Sequence, residues 1–190
     1  MHRISVLIVL VLLTSSWSSQ DATEAIQSRI ETTKAGERIL IQEVLIDAPI
    51  AAVWAAHTTD AGWSVWSSPK VDIDLRVGGT ILTHYDTKAQ IGDAGTNTLH
   101  IVNYVPERVL TLRADLSDNW PELMKQDADK LSNVIIFDEL NADRTRVTSY
   151  GIGYRDTPGY DSVMQFFIQA NEGLYRKLKQ ILESAHTKNK

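Results

Sequence analysis

Two histidines have a spacing that could support metal chemistry. His84 and His100 lie on neighbouring predicted strands, and a hairpin centred near Gly92 would place them opposite each other. Opposed side chains in an antiparallel pair have Cβ atoms about 5 Å apart, close enough to share an ion. A zinc site needs at least three protein ligands, and no third ligand has a fitting local spacing. We therefore interpret both as strand histidines on a partly solvated face and predict no metal site.

The sequence pattern predicts no complete set of residues for nucleophilic or acid–base catalysis. His57 and Asp60 could form a base and its orienting carboxylate, but no nucleophile lies beside them. A histidine at the polar end of a short helix is therefore the favoured interpretation. The nearby serines lack the G-x-S-x-G strand–turn–helix context that exposes a nucleophile; they are Ser64, Ser67 and Ser68.

A pair of carboxylates occurs on one predicted strand. Asp72 and Asp74 share a face, and they alternate with the apolar residues Val71, Ile73 and Leu75. The alternation places the two aspartates opposite the buried face, in water. Carboxylate pairs do acid–base work where burial perturbs one of them. We therefore predict no catalytic residue and no cofactor.

Aromatic residues are the more informative set. They could line an apolar cavity with a few polar groups, which is the usual form of a small-molecule site. They could equally fill a core, and the pattern leaves both interpretations open. The set comprises Trp63, Trp66, Tyr85, Tyr104, Trp120, Phe137, Tyr150, Tyr154, Phe166 and Phe167.

The element that would cover these side chains is a long C-terminal helix at 156–185. Its apolar residues recur at steps of four and three, which lines one helical face; they are Val163, Phe167, Ala170, Leu174, Leu178 and Ile181. Ala170 and Gly173 offer little bulk at mid-helix, which would allow either close packing or space for a ligand.

The rest of the chain predicts a sheet with few helices. Strands are expected at 29–33, 38–47, 71–75, 81–86, 97–105, 108–115, 133–140 and 144–154, and short helices at 49–58, 61–66 and 121–131. Hairpin-linked strands with segregated helices indicate an antiparallel α+β domain.

Composition excludes several classes of function. The 190 residues carry a formal charge of −5 and include no cysteine. A mildly acidic chain without a basic cluster is a poor nucleic-acid binder, because that affinity depends on neutralising phosphates. Without cysteine the chain forms no disulfide and no thiolate metal site.

The N-terminus is typical of an exported protein. Residues 1–18 combine a short charged start, a mainly apolar run at 4–13 and small polar residues, which is the order of a secretory signal. The apolar run is about half the ~20 residues that a membrane-spanning helix needs, so no stable membrane anchor is predicted. We expect a leader at 19–28, one domain at 29–186 with a helical insertion at about 116–132, and a tail at 187–190.

Four motifs together resemble a known superfamily. They are IDAPIAAVW at 46–54, DLRVGG at 74–79, TRVT at 145–148, and FF with NEG at 166–178. Their order resembles the SRPBCC superfamily, which includes the START and birch-pollen-allergen proteins, and within it the branch related to the activator of the heat-shock ATPase. The resemblance implies a helix-grip fold. In that fold a curved antiparallel sheet of about six to seven strands wraps around one long C-terminal helix, with two short helices after the first strand.

The resemblance also implies a ligand cavity between sheet and helix. We predict an exported, periplasmic or secreted module that binds a small hydrophobic or amphipathic molecule there, with no catalysis evident. The candidate ligand-binding residues are Trp63, Trp66, Tyr85, His100, Phe137, Met164 and Phe167.

Two alternatives remain open at this point. The first is an enzyme resembling polyketide cyclases and dehydratases, with His84, Tyr85 or His100 giving acid–base assistance in the same cavity. The second is a partner-binding protein that exposes Trp120 and Leu123 of the insertion as an apolar patch.

Overall fold

The computed structural model describes residues 26–117 and 120–188. The predicted signal at 1–18 lies outside the described residues. In chain order the elements are β1 (Gln27–Thr32), β2 (Glu37–Ile46), α1 (Ile50–Thr58), α2 (Asp60–Trp66), β3 (Lys70–Ile73), β4 (Thr80–His84), β5 (Asn97–Val105), β6 (Val109–Ala114), α3 (Glu122–Gln126), β7 (Ser132–Asn141), β8 (Arg144–Arg155) and α4 (Pro158–Lys188).

The strands form one curved antiparallel sheet of eight strands, in the order β1-β2-β8-β7-β6-β5-β4-β3. The predicted α+β helix-grip class is confirmed. The sheet has one strand more than the upper expectation, because the run at Gln27–Thr32 pairs with β2 across a turn in which Gly36 has a φ of +84°. The two short helices accordingly follow the second strand.

Helices α1 and α2 form a corner over one end of the sheet. Pro49 precedes α1, where its fixed φ suits the start of a helix. The side chain of Thr59 accepts a hydrogen bond from the amide of Gly62 at 3.0 Å and so caps α2. Trp63 and Trp66 of α2 are both buried, and the indole N–H of Trp66 donates to the carbonyl of Ala56 at 2.8 Å.

Helix α4 crosses the sheet over a length of roughly 46 Å at ~1.5 Å per residue. Of the predicted stripe, Val163 and Leu178 are buried, whereas Ala170 is exposed. Gly173 is also exposed, and a Cβ added there would meet nothing within 4 Å. The expectation that these two small residues face the sheet is therefore wrong. Asn171 and Tyr175 turn inward in their place.

The insertion between β6 and β7 packs under the start of α4. Its helix covers only Glu122–Gln126, shorter than the predicted 121–131. The buried carboxylate of Asp127 accepts hydrogen bonds from Tyr160 at 2.9 Å and from Arg155 at 2.6 Å, and Lys130 lies 3.1 Å away. Burial favours the protonated form of this carboxyl, but these partners outweigh it and lower the pKa of Asp127. The network fixes the insertion to β8 and α4.

Candidate functional site

A cavity of about 240 Å³ lies between the sheet and α4. It separates two groups of buried side chains. One group contains Trp63, Trp66 and Tyr175 at the α1–α2 end, and the other contains Tyr154 and Tyr160 beside the insertion. The predicted position for a ligand, between sheet and long helix, is thus a real space in this fold.

Strand register brings polar residues and a glycine together on the sheet side of the cavity, which we call its floor. On β2 and β8, Gln42 lies opposite Ser149, and Leu40 lies opposite Gly151. Opposed residues point to the same face, so Gln42 and Ser149 place polar side chains together in one row. In the adjacent row Gly151 adds no side chain beside Leu40. Asn133 of β7 continues the second row opposite Gly151.

The roof and walls are largely aromatic. Helix α4 contributes Phe167, Asn171, Leu174 and Tyr175 to the roof. The α1–α2 wall consists of His57, Trp63, Trp66 and Ser67, and the opposite wall consists of Trp120, Leu131 and Tyr154. The ring of Tyr154 lies where a Cβ on Gly151 would be, at 2.9 Å from Cε2. Glycine at position 151 therefore lets the Tyr154 ring pack directly against the strand, and a larger residue would displace that ring.

The described residues that line the cavity carry no charged side chain. Its titratable groups are held neutral at pH 7. Burial lowers the pKa of His57 to about 4, although the carbonyl of Val53 opposes the shift. Burial also raises the pKa of Tyr154 to about 12, and it raises the pKa of Tyr175 against the opposing effect of Ser149. The cavity consequently suits an uncharged ligand.

Several polar side chains of the cavity are hydrogen-bonded to one another or to the backbone. Asn171 donates to the side-chain oxygen of Gln42 at 2.8 Å, and the hydroxyl of Ser149 donates to Asn133 at 2.8 Å. Nδ1 of His57 lies 2.8 Å from the carbonyl oxygen of Val53. Because a carbonyl only accepts, Nδ1 carries the proton, and Nε2 of the neutral ring presents a lone pair.

Two buried nitrogens at the α1–α2 wall differ from these hydrogen-bonded groups. Nε2 of His57 and Nε1 of Trp63 have no hydrogen-bond partner within the described part of the chain. The first is an acceptor and the second a donor. Their rings lie perpendicular, with centroids 6.5 Å apart. Sequence reasoning placed His57 at the polar end of a helix, but the side chain is fully buried beneath Trp66 and Phe137.

The predicted ligand-binding residues separate into three groups. Trp63, Trp66 and Phe167 line the cavity together. Phe137 and Met164 are fully buried but lie outside its lining. Tyr85 and His100 also lie outside the lining, because Tyr85 is 64% exposed and His100 forms a half-exposed pair with Asp115 at 2.8 Å.

The expected opposition of His84 and His100 is wrong. His100 pairs with Thr80, and the β4–β5 pairing ends at Thr83 and Asn97. The observed pairs are centred on residue 90 and not on Gly92, so the two histidines are four residues out of register. Nε2 of His84 instead lies 3.1 Å from the carbonyl of Ala94. No group of three potential metal ligands occurs among the described residues.

Sequence reasoning missed the polar members of the cavity. Gln42 interrupts the inward row Leu40, Val44 and Ile46 of β2, and Asn171 stands within the apolar stripe of α4. A polar residue on an otherwise apolar face is a readable signal for a buried polar contact.

A second, outer groove lies between the insertion and α4. Its lining includes Trp120, Met124, Phe166 and Phe167. Trp120 and Phe167 also line the cavity, and their ring centroids are 6.1 Å apart. These two rings, the Trp120–Phe167 partition, therefore separate cavity from groove. Trp120 and Leu123, the residues of the predicted apolar patch, are partly buried against the core beside the insertion.

None of the described helices is long and apolar enough to cross a membrane.

Comparison with known proteins identifies one family model, described as activator of Hsp90 ATPase homolog 1-like protein, which matches residues 47–183. No curated protein matches the chain at a significant level.

Several solved structures share the fold at low sequence identity. Protein MLL2253 from Mesorhizobium loti is 18% identical with a TM-score of 0.61, and the match covers 77% of this chain and 98% of that one. The Aha1 dimer from Colwellia psychrerythraea is 16% identical with a TM-score of 0.57 and coverages of 76% and 96%. CalU16 from Micromonospora echinospora is 19% identical with a TM-score of 0.57 and coverages of 84% and 75%.

Proposed function

Because the chain belongs to the activator of Hsp90 ATPase homolog 1-like family of the SRPBCC superfamily, we propose that it is an exported module binding a small, uncharged, largely apolar molecule between sheet and α4. The cavity of about 240 Å³ carries this proposal. Its volume lies just below the ~300–1,000 Å³ of common small-molecule pockets, so it suits a ligand of one or two rings.

The charge state of the wall supports an uncharged ligand. A carboxylate or an amine would lose its hydration inside, and the described lining offers no opposite charge to compensate. Leucines and aromatic rings would cover the apolar body of the ligand. The hydrogen-bonded pair of Gln42 on the floor and Asn171 on the roof adds polar groups without charge.

The proposal is tested by native mass spectrometry of the protein purified from the periplasm of its own host. We expect an added mass of small-molecule size that organic extraction removes. Ala114 lines the cavity on β6, so Ala114→Leu should fill the space and reduce the bound fraction at least about fivefold, because overpacked sites leave little room.

The matched control is Ala170→Leu. It adds the same side chain at an exposed position of α4, and the bound fraction should remain at the wild-type level. Repeated recovery of an empty wild-type protein would contradict the proposal, as would equal binding by the Ala114→Leu variant.

An enzyme resembling polyketide cyclases and dehydratases is the alternative for the same cavity. It has less support, because Tyr85 and His100 lie outside the lining, and His84 is held by the Ala94 carbonyl. His57 remains as a base, but a pKa of about 4 makes it weak at neutral pH. Recovery of a ligand chemically changed after incubation with the protein would favour the enzyme.

A further inference from the structure

Two unpaired nitrogens at the α1–α2 wall suggest what the cavity recognises. His57 is 1% exposed and Trp63 is 6% exposed, and both line the cavity. An unsatisfied buried polar atom is costly, and native proteins rarely retain one without a reason. Here one acceptor and one donor, on rings in perpendicular contact, are left unpaired at the same wall.

The neighbouring tryptophan shows that this wall can satisfy its polar atoms. Trp66 stands three residues after Trp63 on the same helix, and its indole N–H donates to the Ala56 carbonyl at 2.8 Å. The ring of His57 is fixed through Nδ1 by Val53. The acceptor at Nε2 is therefore set by the fold, and it does not result from a freely rotating ring.

We infer that the cavity recognises an alcohol or a phenol, whose hydroxyl donates a hydrogen bond to Nε2 of His57 and accepts one from Nε1 of Trp63. A hydroxyl is the smallest group that donates and accepts through one atom. It is also uncharged, as the described lining requires. This inference rests on the proposed function, because it names the ligand class of the same cavity.

The test compares two probes of equal size, 2-naphthol and 2-methylnaphthalene, by calorimetric titration. The measured quantity is the ratio of their dissociation constants, methyl over hydroxyl, in the wild type and in each variant. Comparing ratios between variants cancels the different hydration of the free probes.

Trp63→Phe removes the donor and keeps an aromatic ring, and His57→Leu removes the acceptor. Each should lower the ratio about fivefold to tenfold, the value of one neutral hydrogen bond in a buried site. Trp66→Phe is the matched control, because it alters the same wall but removes an N–H that already has a partner. Its ratio should stay within about twofold of the wild type.

The outcomes separate this inference from the proposed function. If neither probe binds the wild type, the binding cavity itself is rejected. If both bind but the ratio is unchanged in Trp63→Phe and in His57→Leu, or falls equally in Trp66→Phe, the hydroxyl recognition is wrong while the cavity stands. Near-ultraviolet circular dichroism of each variant confirms that the comparison is between folded proteins.

Discussion

Burial of a single histidine gives this protein an acid-sensitive site. The ring of His57 is held neutral with a pKa of about 4, below its ordinary value of 6.5, because burial disfavours the charged form. The unfolded chain binds this proton at a higher pH than the folded one does. Stability contributed by the neutral ring is therefore complete above about pH 6.5 and is lost as the pH falls toward 4.

The first prediction concerns this window. Between pH 7 and pH 4 the wild type should lose roughly 3 kcal/mol of unfolding free energy more than His57→Leu, since a pKa difference of about 2.5 units is converted at ~1.4 kcal/mol per unit. Urea titrations at a series of pH values measure the difference. Parallel pH profiles of the two proteins would show that His57 is not the responsible group.

Aromatic character, together with the family resemblance, predicted some of the residues that line the cavity. Trp63, Trp66 and Phe167 were predicted from their aromatic character, and all three line the cavity. Tyr85, another member of the aromatic set, and His100, a polar candidate, lie outside it. Side-chain type does not reveal which face of a strand is inward, because a register shift of one residue reverses every face.

At the scale of elements, the closure of β8 against the insertion depends on one backbone position. Gly153 has a φ of +90°, and a Cβ there would lie 2.2 Å from the carbonyl oxygen of Lys130. Both the conformation and the contact exclude a side chain. The glycine lets β8 approach the segment that carries Leu131 into the cavity wall.

The second prediction compares two glycines. Gly153→Ala should cost at least about 2 kcal/mol of unfolding free energy, from a disfavoured φ and a backbone clash. Gly173→Ala, in an open position of α4, should instead stabilise by roughly 0.5–1 kcal/mol. Thermal and urea unfolding measure both changes, and a tolerated Gly153→Ala would contradict the contact.

Helix α4 and the insertion supply the two rings that lie between the cavity and the outer groove. The Trp120–Phe167 partition is shared by the cavity and the outer groove. Phe166, the residue beside it, lines only the groove and is 64% exposed. The two phenylalanines thus provide a natural comparison on one helix.

The third prediction follows from that comparison. Phe167→Ala should raise the association rate of 2-naphthol at least about fivefold, because removing the ring joins the cavity to the groove, while Phe166→Ala should leave the rate unchanged. Stopped-flow quenching of tryptophan fluorescence measures both rates. Equal rates in the two variants would place the access route elsewhere.

At the scale of the whole molecule, polar contacts join α4 to the sheet that it covers. Arg38 of β2 pairs with Asp156 at 2.6 Å and with Asp161 at 3.0 Å at the start of α4. Toward the other end, Lys179 donates to the carbonyl of Leu45 at 2.8 Å. These contacts attach α4 to β2 at two separate points along the helix.

The fourth prediction concerns where the molecule acts. We expect the mature protein to begin at Ser19, because the small residues Ser16 and Ser18 precede that position as a signal peptidase requires. N-terminal sequencing of the protein from the periplasm or the medium tests this. Recovery of the intact Met1 form from the cytoplasm alone would contradict export.

The sequence by itself determined the architecture, because its evidence is local and repeated. Alternation predicted the strands, the 3.6-residue period predicted α4, and the order of four motifs indicated the family. These patterns can still be recognised when the predicted end of a helix or strand is slightly wrong.

Only the tertiary structure decided the site. The floor of the cavity forms where Gln42 of β2, distant in the chain, becomes the neighbour of Ser149 and Gly151 of β8 through strand register. The burial of His57 likewise depends on Trp66 and Phe137, which approach it from other elements. Desolvation and hydrogen-bond satisfaction are properties of a folded environment, so no local pattern could reveal that two nitrogens at one wall lack partners.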